Sequence, residues 1–160
     1  MLALLYVTTA QADADSKSKA KDKTIDLVTQ AVLGAWVVPD GSALIEIYPV
    51  TSDQNSKQIA VRIIALRDGN FTEQDVHYPD KAMLGTPRLD IHNPKKSKRS
   101  RAVQGLDIAW GLEFNSASHR WQGGDIYDPG SGNTYSCELG FKSEGASLFR
   151  PTLWGGRIDG

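Results

Sequence analysis

The sequence predicts an all-β protein, an up-and-down antiparallel β-barrel of seven or so strands preceded by a short helix. Three observations predict it. From Gly34 onward, apolar residues recur with a period of two in short segments. Turn-forming Pro, Gly, Asn and Asp separate most of these segments. Each segment carries one apolar face, and such faces need a common interior, which a sandwich or a barrel supplies. A barrel also removes exposed strand edges, so it is the favoured solution. The 160-residue length fits one domain.

Residues 2–10 form an apolar stretch of signal-peptide length, ended by the small-x-small patterns Ala10-Gln11-Ala12 and Ala12-Asp13-Ala14. Residues 1–14 are therefore expected to be a Sec signal peptide, and the mature protein to be periplasmic or secreted. Charged and small residues alternate over 15–23 and bury nothing, which predicts a flexible linker. Ile25, Val28, Val32 and Leu33 stand at helical spacing, with Thr24 as a cap and Gly34 as a stop.

The barrel itself spans residues 34–160. Gly34–Val38 is a strand closed by Pro39-Asp40-Gly41. Ala43–Val50 places Ile45 and Ile47 on one face, and Gln58–Leu66 places Ile59, Val61 and Ile63 together. Leu106–Phe114 alternates throughout, which predicts Trp110 at the centre of a buried face. Arg120–Tyr127 is a strand interrupted by Gly123-Gly124, a bulge signal. After the turn Asp128–Asn133, Thr134–Lys142 alternates with Tyr135, Cys137, Leu139 and Phe141 on one side. Ala146–Arg150 is a last short strand. Residues 67–104 do not fit this meander. They have no period, contain Pro79, Pro87 and Pro94, and read as a long loop or insert: a functional loop, a lid or a disordered insert. The basic cluster Lys95, Lys96, Lys98, Arg99 and Arg101 in it reads as a solvated face.

Nineteen acidic and eighteen basic residues nearly cancel, so no global field draws the chain to nucleic acid. No apolar run is long enough for a transmembrane helix. A single cysteine, Cys137, excludes an internal disulfide and reads as a small buried residue. No H-E-x-x-H, G-x-S-x-G, P-loop or G-x-G-x-x-G is present, so no catalytic residue, metal site or cofactor is assigned. His77, His92 and His119 read as loop histidines, and Asp125 and Asp128 as a turn opening rather than an acid–base pair.

Three segments resemble a known family. They are Gly34-Ala35-Trp36 with Ile45-Glu46-Ile47-Tyr48, Asn93-Pro94 with Arg99-Ser100-Arg101, and Trp121-Gln122-Gly123-Gly124-Asp125-Ile126-Tyr127-Asp128-Pro129 with Thr134-Tyr135-Ser136-Cys137. Together they resemble domain of unknown function 2147, a family of small exported bacterial proteins. The resemblance implies a lipocalin-like, calycin-type barrel and no reaction. It makes Gly34, Trp36, Trp121, Gly123, Gly124, Tyr127, Asp128, Pro129, Tyr135 and Arg150 structural motif residues. The family pattern continues to a final strand ending in Trp-x-Arg. Here Pro151 follows Arg150 and Gly155-Gly156-Arg157 follows in turn, so a closing strand is expected to be absent or short. Arg150 and Arg157 are left to pack on the Trp36 indole as a cation–π contact.

The function expected is non-catalytic binding of a small apolar or amphipathic ligand inside the barrel. Trp36, Ile45, Ile47, Trp110, Tyr135 and Phe141 are the interior residues expected to line that site. The rivals are a filled barrel serving as a periplasmic structural or protein-interaction module, and a hydrolase-type enzyme at the barrel mouth.

Overall fold

The computed structural model describes residues 16–20, 29–50, 58–75, 81–143 and 149–157, with backbone alone at 142–143 and 149–157. Residues 1–14, expected from the sequence to be a signal peptide, lie outside the described residues. The chain divides into two units, Met1–Val32 and Leu33–Gly160. In the first, residues 16–20 are helical and exposed where the charge alternation predicts a flexible linker. Lys and Ala are good helix formers, so the tether can coil locally while burying nothing. Residues 29–32 are also helical, within the helix that the spacing predicts; its first residues, 24–28, lie outside the described set.

The second unit is a seven-stranded sheet in the order β1-β2-β3-β4-β5-β6-β7. The strands are β1 Gly34–Val37, β2 Ala43–Pro49, β3 Gln58–Leu66, β4 Asp107–Asn115, β5 Arg120–Asp128, β6 Asn133–Ser143 and β7 Phe149–Arg157. Every neighbouring pair is antiparallel, which is the predicted up-and-down meander. Among the described residues no pairing joins β1 to β7, so the sheet stays open there. The last strand differs from expectation. It runs through Pro151 and the glycines to Arg157, pairing with β6 from Ser143↔Phe149 to Tyr135↔Arg157. Proline is tolerated in it because β7 is an edge strand.

One face of the sheet holds the core. Ile47, Ile59, Val61, Leu112, Trp121 and Leu139 are all buried on it. Trp121 is the largest side chain with no exposure, and it packs on Phe114 with ring centroids 4.9 Å apart and on Phe141 at 6.3 Å. Gly123-Gly124 forms the expected bulge, with a register shift between Trp121 and Gly124. Gly124 has no room for a side chain: a Cβ would stand 2.6 Å from both Leu112 Cγ and the Trp110 carbonyl oxygen.

Trp110 is the correction. It is 43% exposed rather than central to the core. Ile59 pairs with Leu112 and Val61 with Ala109, so two steps along β3 meet three along β4. Gly111, at φ +72°, supplies the conformation for that extra residue. The bulge reverses the phase of the alternation, leaving Ala109 and Leu112 buried and turning Trp110 outward beside Asp125 of β5. Trp110→Ala is accordingly expected to cost at most about 1 kcal/mol in urea unfolding, close to the surface range.

Candidate functional site

Residues 67–75 and 81–104 fold into an ordered arm. Local backbone hydrogen bonds do this without long strands: Phe71 N–H to Thr86 O, Arg88 N–H to Gly69 O, Asp90 N–H to Arg101 O and Val103 N–H to Arg88 O, each 2.9 Å. The chain thus doubles back twice, and neighbouring residues alternate between two sides as in strands.

A pocket of about 430 Å³ lies between this arm and the end of the sheet where β2 begins and β3 and β5 end. Ser42, Ala43, Ile63 and Leu66 form its strand-end wall. Phe71, Leu89, Ile91 and Val103 of the arm supply an apolar wall, with Gln74, Asp75, Arg88 and His92 as its polar points. Asp128, Pro129 and Gly130 of the β5–β6 turn complete the rim.

The charged pair in this wall is tightly built. Arg88 Nη1 lies 2.7 Å from Asp75 Oδ1, and Arg88 Nη2 donates to Asp75 Oδ2 at 3.0 Å. Arg88 Nε donates to the Asp68 carbonyl at 2.7 Å. Thr72 donates its N–H to Asp75 Oδ2 at 2.6 Å. That backbone bond, reinforced by Arg88, holds the Asp75 carboxyl below its ordinary value. The pair therefore gives orientation at little cost in unpaired charge.

A second polar cluster joins the arm to β5. Asp90 is fully buried and Asn93 nearly so. Tyr127 Oη donates to Asp90 Oδ1 at 2.5 Å. Asn93 Nδ2 donates both to Asp90 Oδ2 at 2.8 Å and to Tyr127 Oη at 3.1 Å. Arg101 Nε reaches Asp90 Oδ2 at 2.8 Å, and its guanidinium stands 5.8 Å from the centre of the Tyr127 ring. Asn93 Oδ1 accepts from the Lys95 N–H at 2.9 Å, and Arg99 Nε donates to the Asn93 carbonyl at 2.7 Å. Burial, with the Asp90 bond behind it, pushes the Tyr127 phenol up to about 12. Above pH 10 an unfolded tyrosine loses a proton that the folded one retains, so stability from this group is full below pH 10 and lost as pH rises toward 12. An alkaline stability titration should show this loss in the natural protein and a smaller one in Tyr127→Phe.

The remaining sequence-predicted residues fall as follows. Asp128 organises its own turn, accepting from Gly130 N–H at 2.8 Å and Ser131 Oγ at 2.7 Å. Cys137 is buried, and burial raises its thiol to about 11, so it should resist thiol reagents at neutral pH until the protein unfolds. His92 and His119 are exposed, while His77 lies outside the described residues. Among the described residues no group of His, Cys, Asp and Glu could hold a metal ion. No described helix is long and apolar enough to cross a membrane.

Of the residues expected to line a ligand site, Ile47 is buried, Trp36, Ile45, Tyr135 and Phe141 are half-buried, and Trp110 points outward. None of the six borders the pocket described here. Gly34 opens β1, and Trp36 pairs with Ile45 across β1 and β2. The side chains of Arg150 and Arg157 lie outside the described set. Sequence reasoning did not single out Asp75, Arg88 and Asp90 as partners. The signal available was weak: acidic residues alternating with apolar ones in a segment otherwise without period, and Arg99 and Arg101 among the family-like residues.

Comparison with known proteins gives three results. No curated protein matches the chain. A solved structure from Helicobacter pylori, described as belonging to the lipocalin family, is 15% identical, with a TM-score of 0.48; the match covers 80% of this chain and 84% of that one. The sequence profile of the family described as "Uncharacterized protein conserved in bacteria (DUF2147)" matches residues 34–156. That match takes in all but the last residue of the sheet, together with the arm and its Asp90–Tyr127 junction, and the chain belongs to the DUF2147 family.

Proposed function

We propose that this is an exported, non-catalytic binding protein of the bacterial envelope that holds a small apolar or amphipathic ligand. The ligand site in this reading is the pocket beneath the arm, not the sheet interior. The pocket's size carries the reading: about 430 Å³ exceeds the roughly 300 Å³ at which small-molecule sites begin. Its apolar wall with a few fixed polar points is the usual makeup of such a site. The Trp121–Phe114–Phe141 cluster fills the neighbouring interior, which argues against a ligand there. Asp75 and Asp128 are both engaged by their own neighbours, which supports binding over acid–base chemistry.

Fluorescence titration with the neutral probe N-phenyl-1-naphthylamine tests the site. Saturable binding to the natural protein is expected, weakened roughly tenfold or more by Ala43→Phe, whose ring would occupy the strand-end wall. Equal binding by both proteins would refute the site. The export half of the reading rests on residues 1–14. N-terminal sequencing of envelope-derived protein should begin between Asp13 and Asp15, and retention of Met1 would refute it. A second reading, a structural or protein-interaction module, draws on the same filled interior and on the exposed Lys95, Lys96 and Lys98 of the arm.

A further inference from the structure

We infer that Asp90, Asn93 and Tyr127 form a clasp that sets the separation of two pocket walls, making Tyr127 a positioning residue for the ligand site. The inference rests on that site for its binding consequence, but not for the clasp itself. The three side chains come from two distant stretches of chain, and all three are buried. Their polar atoms satisfy one another: both amide hydrogens of Asn93 are used, and the Tyr127 hydroxyl both donates and accepts.

Their sequence neighbours are what make this a device for the pocket. Leu89 and Ile91 flank Asp90 and line the pocket, while Asp90 itself turns the other way into the clasp. His92, just before Asn93, lines it as well. On the other side Tyr127 is followed by Asp128, the first residue of the turn wall. Gly132 of that turn approaches the His92 carbonyl so closely that a Cβ there would overlap it. The clasp therefore fastens the arm wall to the turn wall one residue away from the pocket surface on both sides. A buried network of this kind is stiff while complete and costly once a member is lost.

Amide hydrogen exchange on the full chain tests it, comparing the natural protein with Tyr127→Phe and, as control, Tyr48→Phe. Tyr48 also loses one hydroxyl bond, to Asp107 at 2.7 Å, but on the outer side of the sheet. Tyr127→Phe should speed exchange of the Arg88, Asp90 and Val103 amides roughly tenfold, the scale of one buried hydrogen bond left unmade. Exchange along β2 and β3 should not change, and Tyr48→Phe should leave the arm as it was. The affinity for N-phenyl-1-naphthylamine should fall by a similar factor in Tyr127→Phe alone. Unchanged arm exchange, or acceleration spread evenly through the strands, would overturn the clasp. Faster arm exchange with unaltered probe affinity would overturn its role in setting the pocket. If the natural protein takes up no probe, the ligand site fails and with it the binding role, while the exchange arm still decides the clasp.

Discussion

Replacing Trp121 by Ala is expected to cost about 3–5 kcal/mol, the range for removing a large buried aromatic. Its ring has no exposure and contacts Phe114 and Phe141, so truncation opens a cavity where three aromatics meet. β5 carries Trp121 next to the Gly123-Gly124 bulge, and the bulge fixes the strand through close backbone approach. The surrounding sheet is thus poorly able to collapse into the gap. Trp121→Phe should be far milder, about 1–2 kcal/mol. The Trp121 Nε1 hydrogen is buried without a partner among the described residues, so removing it relieves a desolvation cost while the lost ring area acts the other way. Urea unfolding of both variants measures this. A loss below about 1 kcal/mol for the Ala variant would mean that the interior around Trp121 is open.

Strand positions were legible in the sequence because a half-buried strand writes its burial into every second residue. β2 and β3 begin where the alternation predicts, and β5 carries its bulge at the predicted glycines. The same logic failed at Trp110, since one inserted residue reverses the phase of everything beyond it. Gly111 was the available mark, as a lone glycine within an alternating run signals a bulge. The arm was legible as an exception to the meander but not as a pocket wall. Its order comes from backbone bonds and side-chain pairs such as Arg88 with Asp75 within the arm, and from the long-range pair of Asp90 with Tyr127, and none of these leaves a regular period. Alternation points only to interior residues of the sheet, whereas the pocket forms where strand ends meet the arm.

Asp90→Ala is expected to cost about 2–4 kcal/mol and to act on the arm before the sheet. Removing one partner of a buried ion pair typically costs about 3–5 kcal/mol because the other charge is left unpaired. Arg101 is 36% exposed at its side chain and can turn toward water, which lowers that figure. Asn93 and the Tyr127 hydroxyl have no such escape and lose their shared acceptor in the buried site. Each adds a desolvation cost of about 1–3 kcal/mol unless water enters in place of the carboxylate. Among the described residues the arm carries little core of its own, Phe71 and Val103 being its buried apolar residues, so it should come loose while the Trp121 core keeps the strands folded. Limited proteolysis reads this directly: cleavage at Lys95, Lys96, Lys98 or Arg99 should appear in Asp90→Ala under conditions where the natural protein is intact. Simultaneous loss of arm and strands, in one cooperative step of unaltered midpoint, would instead mean that Asp90 contributes nothing to the attachment.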